Sequence, residues 1–270
     1  MIRFALPHPI RSEWMKVTGY AVGLSLLPHL AWVEVAAAQG SGRRLPTATT
    51  AAFDLGRLLL PPNEVFYGGV KKDGIPALVD PPMVPANDVV DLADDERVIG
   101  VAGEREARAY PLKIMIWHEV VNDRLEEKPI AVTYCPLCDS VAAFDRRDGD
   151  KIREFGVSGL LYISNVLMYD RGESPEGLWS QMLARAVSGP NAGLALPSIP
   201  VDLTTWGDWR RRYPGTVVLP VPAATLRDDR RDPYRNYFTS KDLMFPVKPF
   251  SNRLPIKYRV LGVWTAHGAR

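Results

Sequence analysis

VTYCPLCDSVAAFDRRDG, residues 132–149, is the stretch whose reading decides the fold. The run into it, PIAVTY, alternates so that Ile130, Val132 and Tyr134 share one face, the period of a half-buried strand. The continuation, VAAFDRRDGDKIREFGV, reads as two more strands joined by a turn around Asp148-Gly149. Cys135-Pro136-Leu137-Cys138 therefore sits on a strand-to-turn corner rather than at the start of a helix.

Working outward, NVLMYDR is a further strand. Thr205, with Asp208 three residues on, predicts a capped helix over TTWGDWRRRY that Pro214 stops, after which TVVL returns as a strand. Upstream, Val98–Ala102 and Arg105–Tyr110 flank a Gly103-Glu104 turn as a hairpin. Pro111 suits a first helical turn, and Leu112, Met115, Ile116 and Val120 recur at helical spacing through Trp117-His118-Glu119. The proline-rich stretch PPNEVFYGGVKKDGIPALVDPPMVPAND is expected to wrap the core as an ordered arm, because Phe66, Tyr67, Ile75, Leu78 and Met83 give it something to bury. Proline outnumbers glycine, 24 to 21, and breaks helix interiors, so a helical bundle is excluded. The expected class is α+β: a β-rich mixed domain of mainly antiparallel strands with a few short helices. RVIGVAGEREAR (97–108) and RVLGVWTAHGAR (259–270) align without a gap, which is either a chance match of strand-forming residues or a duplicated hairpin.

The N-terminal forty residues read as an address. Arg3, Arg11 and Lys16 precede a largely apolar run from Val17 to Trp32, and Ala36-Ala37-Ala38 offers a small-residue cleavage site. Pro28, His29 and Glu34 weigh against a membrane anchor, so membrane contact is expected only through this segment if uncleaved. The expected organisation is a signal peptide over 1–38, a linker over 39–59 whose QGSGRRLPTATT lacks apolar period, and one domain over 60–270. Export to the periplasm or beyond follows. The chain carries 33 basic and 31 acidic residues, a formal +2 with no basic stripe among aromatics, so nucleic acid is not an expected partner.

Cys135 and Cys138 are the chain's 2 cysteines. In an exported protein they can form a disulfide, and a ring closed over four residues is tight and therefore reducible. They can instead form half of a metal knuckle. They can also be buried thiols that fill space. Haem attachment is excluded because Asp139 stands where histidine is required, and no second cysteine pair completes a zinc ribbon. No nucleotide is expected. If residues 1–38 are removed, only His118 and His267 remain of the 4 histidines. His118 is the leading third ligand, with Asp139 beside it and Glu119, Met115 or Met168 as weaker candidates; zinc or copper would suit such a set. The bland reading of His118 is a hydrogen-bonded core histidine beside Trp117. Ser158 lacks a serine-nucleophile elbow, since Leu160 stands where glycine is needed. Ser158, Ser164 and Asn165 are expected to satisfy backbone groups at strand ends. Trp179 with Trp206 and Trp209 are either core anchors or the lining of a groove.

At WHEVVND, VTYCPLCDS, FGVSGLLYISNVLMYDR, LWSQ and LPS, in that order from about Asp73 onward, the chain resembles a bacterial family of unknown function, domain-of-unknown-function family 3179. The resemblance implies an exported or membrane-associated domain and brings no activity. It also implies a glycine after the second cysteine, where this chain has Asp139, and a chain that continues past the VLGV strand. Three readings of function follow: a metal or thiol site at Cys135, Cys138, His118 and Asp139; a thiol–disulfide protein cycling Cys135 and Cys138; or a non-catalytic scaffold using the tryptophan groove.

Overall fold

The computed structural model describes residues 52–220, 232–247 and 252–261, with strand pairs at 264–265 and 268–269. The leader, most of the linker and His267 lie outside the described residues. Strands hold 37% of the described residues and helices 13%, so the fold is β-rich α+β as the patterning predicts.

The proline-rich arm comes first, carrying β1 (Val65–Tyr67), β2 (Leu78–Val79) and β3 (Val84–Pro85). Next are the hairpin β4 (Arg97–Ala102) and β5 (Ala107–Pro111), then helix α1 (Leu112–His118). The chain then forms β6 (Val120–Leu125), β7 (Lys128–Cys135) and β8 (Ser140–Asp145), with the small hairpin β9 (Arg147–Asp148) and β10 (Lys151–Ile152) after them. Long strands β11 (Glu154–Tyr162) and β12 (Asn165–Arg171) lead to β13 (Leu178–Ser180), β14 (Arg185–Ala186), β15 (Ser198–Ile199) and β16 (Asp202–Thr205). Helix α2 (Trp206–Arg212), β17 (Val217–Val218), helix α3 (Arg235–Thr239) and the pair β18 (Trp264–Thr265) and β19 (Gly268–Ala269) complete the described elements.

Three five-stranded sheets result, ordered β1-β11-β12-β13-β14, β15-β8-β7-β6-β2 and β16-β4-β5-β17-β3. Only the β2–β6 and β17–β5 pairs are parallel among the described strands. Each of the arm's three strands caps the end of a different sheet, so the arm covers edges that would otherwise be exposed. Its prolines suit that place, since an edge strand tolerates a missing donor.

The central sheet is buried on both faces. Ile130, Val132 and Tyr134 pack with α1 and with Ile99, Val101 and Tyr110 of the β4–β5 sheet. The alternate residues Ala131 and Cys135 face the β11–β12 sheet, among Val157, Val166, Met168 and Trp179. Alternation along β7 therefore separates two hydrophobic layers rather than core from solvent. This is why Cys135, on the side the pattern left for solvent, is 1% exposed. Outside these layers, α2 lays Trp206 and Trp209 on the β4–β5 sheet, and the start of the arm lays Phe53 and Leu60 on the β11–β12 sheet. Residues 52–59, expected as linker, are thus partly seated: Asp54 N–H donates to Glu176 O at 2.8 Å and Leu59 N–H to Val187 O at 2.7 Å.

Local chemistry explains the elements. The α2 cap forms as its motif predicts, with Asp208 N–H on Thr205 Oγ1 at 3.3 Å. Gly100 lies under Trp209, where a Cβ would come within 2.2 Å of the indole. The Ser158-Gly159 step is a β-bulge: Gly159 takes φ +78° and lets Val70 O approach, while Ser158 Oγ satisfies Leu167 O and Leu160 N–H. At the end of the described chain, Trp264 pairs with Ala269 as Ala102 pairs with Ala107, the same register as in the first copy of the repeated segment.

Candidate functional site

β7 ends at Cys135 and β8 begins at Ser140, and these two residues pair across the ladder. The intervening Pro136-Leu137-Cys138-Asp139 forms a tight turn, with Asp139 N–H reaching Pro136 O at 3.4 Å. Asp139 takes φ +47°, a conformation glycine adopts freely and aspartate better than most residues. That is a physical reason for aspartate to stand where the resemblance implies a glycine.

Both cysteines are free thiols, Cys135 buried and Cys138 exposed, and they approach to 3.1 Å. Three polar groups gather at Cys138 Sγ. Asn165 Nδ2 donates to it at 3.2 Å, Ser140 Oγ lies 3.2 Å away, and the Cys135 thiol is the third. Gln181 holds this group together: its Oε1 accepts from Asn165 Nδ2 at 2.7 Å and Ser140 Oγ at 2.8 Å, while its Nε2 donates to Thr133 Oγ1 at 3.0 Å. The Cys135 hydrogen bond, then those from Ser140 and Asn165, holds the Cys138 thiol down at about 7 despite partial desolvation. Burial does the opposite to Cys135 and pushes its thiol well up.

The β11–β12 turn serves the same site. Ile163 and Ser164 take φ +45° and +64°, and Asn165 follows as the first residue of β12. A β-branched residue in that region costs roughly 1–3 kcal/mol. Ile163 is held there by its N–H on Glu64 O at 3.3 Å, and Ser164 O lies 3.6 Å from Cys135 Sγ, an alternative acceptor for the one thiol proton that Cys138 Sγ also faces. From the other side, Tyr237 of α3 donates its hydroxyl to Leu137 O at 2.9 Å.

The proposed metal ligands do not all converge. His118 points its Nδ1 to Pro76 O at 2.7 Å and so ties α1 to the arm; burial lowers its pKa, partly offset by that carbonyl. Asp139 is occupied by Arg97 at 3.0 Å, by Arg259 Nε at 2.9 Å and by the Tyr134 hydroxyl at 3.1 Å. Among the described residues, no three of histidine, cysteine, aspartate and glutamate form a group that could hold a metal. Met115 and Met168 are fully buried in two different layers of the core. Of the two tryptophan readings the core one holds: Trp179, Trp206 and Trp209 are 0%, 2% and 1% exposed, so these rings form core rather than a lining. Asn165, expected merely to end a strand, donates to Cys138 Sγ, and Gln181 holds Asn165 in place. No spacing signal marks them, because they come to the turn from two different strand connections.

A family model described as "Protein of unknown function (DUF3179)" matches residues 72–270. The chain belongs to this family. The match takes in the thiol turn, the arm from Lys72 onward and every strand of the three sheets except β1. No curated protein and no solved structure matches the chain. Among the described residues, no helix of this family member is long and apolar enough to cross a membrane.

Proposed function

We propose that this member of the family is a thiol–disulfide redox protein in which Cys138 attacks and Cys135 resolves. The observation that carries the reading is the unequal pair itself: a cysteine at the surface whose thiol is held toward the thiolate, 3.1 Å from a buried thiol that keeps its proton. The Cys138 thiolate attacks one sulfur of a partner disulfide, forms a mixed disulfide and releases the other half as a thiolate. Cys135 then attacks Cys138 Sγ, closing the intramolecular disulfide and releasing the second half. The protein loses two electrons and the partner gains them. The leader-like composition of residues 1–38 supports export, where such exchange has substrates.

Intact mass of the chain, purified natively without chelator or reductant, tests this. A mass short by two hydrogens that is restored by dithiothreitol, with only Cys135 and Cys138 changing in alkylation, is the expected result. An ion-mass increment lost on alkylating both cysteines would replace the reading with a metal site. Two thiols that stay reduced under a disulfide donor would return the pair to the core.

A further inference from the structure

Cys138 Sγ faces a group of polar side chains whose orientations are fixed from outside that group. Asn165 Oδ1 accepts Met182 N–H at 3.2 Å, so Nδ2 is the end of the amide turned toward the sulfur. Gln181 Nε2 donates to Ser140 O at 3.3 Å and to Thr133 Oγ1 at 3.0 Å, and the Thr133 hydroxyl hydrogen is taken by Ala142 O at 2.9 Å. Gln181 Oε1 is therefore the end turned to Asn165 and Ser140. Reversing either amide would set donor against donor or acceptor against acceptor. Thr133, Asn165 and Gln181 are all buried. Of these side chains only Ser140 keeps a choice. Its Oγ lies 2.8 Å from Gln181 Oε1 and 3.2 Å from Cys138 Sγ, and its hydroxyl has a single hydrogen for these two acceptors.

Charge on the sulfur decides where that hydrogen goes. A neutral sulfur is a weak acceptor, so the hydrogen rests on the amide oxygen of Gln181. The lone pair that Ser140 Oγ then leaves free can accept the S–H of Cys138. A thiolate out-competes the amide oxygen, because a charge-assisted hydrogen bond is roughly twice as strong as a neutral one. We propose that Ser140 is a catalytic residue of the exchange reaction, its hydroxyl turning from Gln181 to Cys138 Sγ when that sulfur becomes a thiolate and turning back when a disulfide forms; the inference rests on the exchange reading above. Asn165 donates to the sulfur in every state, whereas Ser140 adds its hydrogen bond to the thiolate alone. The pair is thereby biased toward its reduced form. The rotation takes no proton from the serine, and the thiol proton of Cys138 goes to solvent. Gln181 acts through Ser140 and is a positioning residue: it keeps the hydroxyl hydrogen paired while the sulfur is uncharged.

Two readouts on the full chain separate this role from a merely structural one: the pH midpoint of Cys138 alkylation by iodoacetamide, and the reduction potential of the pair in glutathione buffers. The other titratable groups that interact with Cys138, namely Cys135, Glu119 and Tyr237, are unchanged in the variants. Ser140→Ala removes the hydroxyl and is expected to lower the ionisation constant of Cys138 about fivefold, moving the alkylation midpoint to higher pH. Above both midpoints the reduced form should lose the same factor against the disulfide, which makes the potential about 20 mV more negative. Ser140→Thr keeps a hydroxyl at the same strand position and should hold both constants within about twofold of the wild type. An unmoved midpoint in Ser140→Ala would overturn the proposal, since the hydrogen would then stay on Gln181. A threonine variant that shifts as far as alanine would overturn it too, as would a midpoint that moves while the potential stays. A wild-type pair that never oxidises in glutathione buffers would instead overturn the exchange reading, and the alkylation midpoints would still decide where the Ser140 hydrogen goes.

Discussion

Replacing Cys135 by alanine or by serine separates two ways in which a buried neighbour can activate Cys138. The largest influence holding the Cys138 thiol at about 7, against an ordinary 9.0, is the hydrogen bond from Cys135; Ser140 and Asn165 follow, and partial desolvation works against all three. Because the Cys135 bond exceeds either of the others, Cys135→Ala should raise the thiolate midpoint by about one pH unit, equal to roughly 1.4 kcal/mol in the ionisation. At pH 7 the thiolate fraction then falls from about one half to about a tenth. Rate at one pH understates this, since a more basic thiolate is about threefold more nucleophilic per unit. Iodoacetamide alkylation across pH 5–10 should therefore show a later midpoint and a higher plateau for Cys135→Ala. Cys135→Ser keeps a donor in place and should hold the midpoint near that of the wild type. A midpoint unmoved by alanine, or moved equally by both substitutions, would refute the assignment of the shift to a donated hydrogen.

Three further outcomes test the frame around the site. Gly100→Ala drives a methyl to within 2.2 Å of the Trp209 ring and should cost about 1–3 kcal/mol, seen as a lower midpoint in thermal unfolding followed by circular dichroism. Glu119, raised to about 8 from 4.5 chiefly by burial, binds its proton more tightly folded than unfolded. Its contribution is thus fully present below about pH 4.5 and lost as pH climbs through about 8; urea titrations should show Glu119→Gln flattening that decline by a few kcal/mol. Asp139→Gly loses the carboxylate that binds Arg97 and Arg259 but keeps the φ +47° turn, whereas Asp139→Ala loses both, so alanine should be the worse by about 1 kcal/mol in the same titration. Equal losses would mean that the turn does not depend on that conformation.

The sequence by itself determined the local elements and the chemistry they carry. The strand patterns of β4, β5, β7, β8 and β12, the Thr205 cap, Pro111 ahead of α1 and the apolar residues of the arm each depend on neighbours a few positions away, and each is found where the pattern puts it; Val120, read at helical spacing with α1, instead opens β6. The Cys-X-X-Cys corner was legible for the same reason, as a turn between strands. What the tertiary structure alone decided was which residues share space. Stacking a third sheet against the other face of β7 buried Cys135 and left Cys138 outside, turning two like cysteines into an unlike pair. Packing brought Asn165 to Cys138 Sγ and Gln181 to Asn165 and Ser140, and gave His118 to the arm and Asp139 to two arginines. A periodic pattern records only whether a side chain is turned from water. The partner it meets is set by sheet order and register, which arise from contacts far apart in the chain.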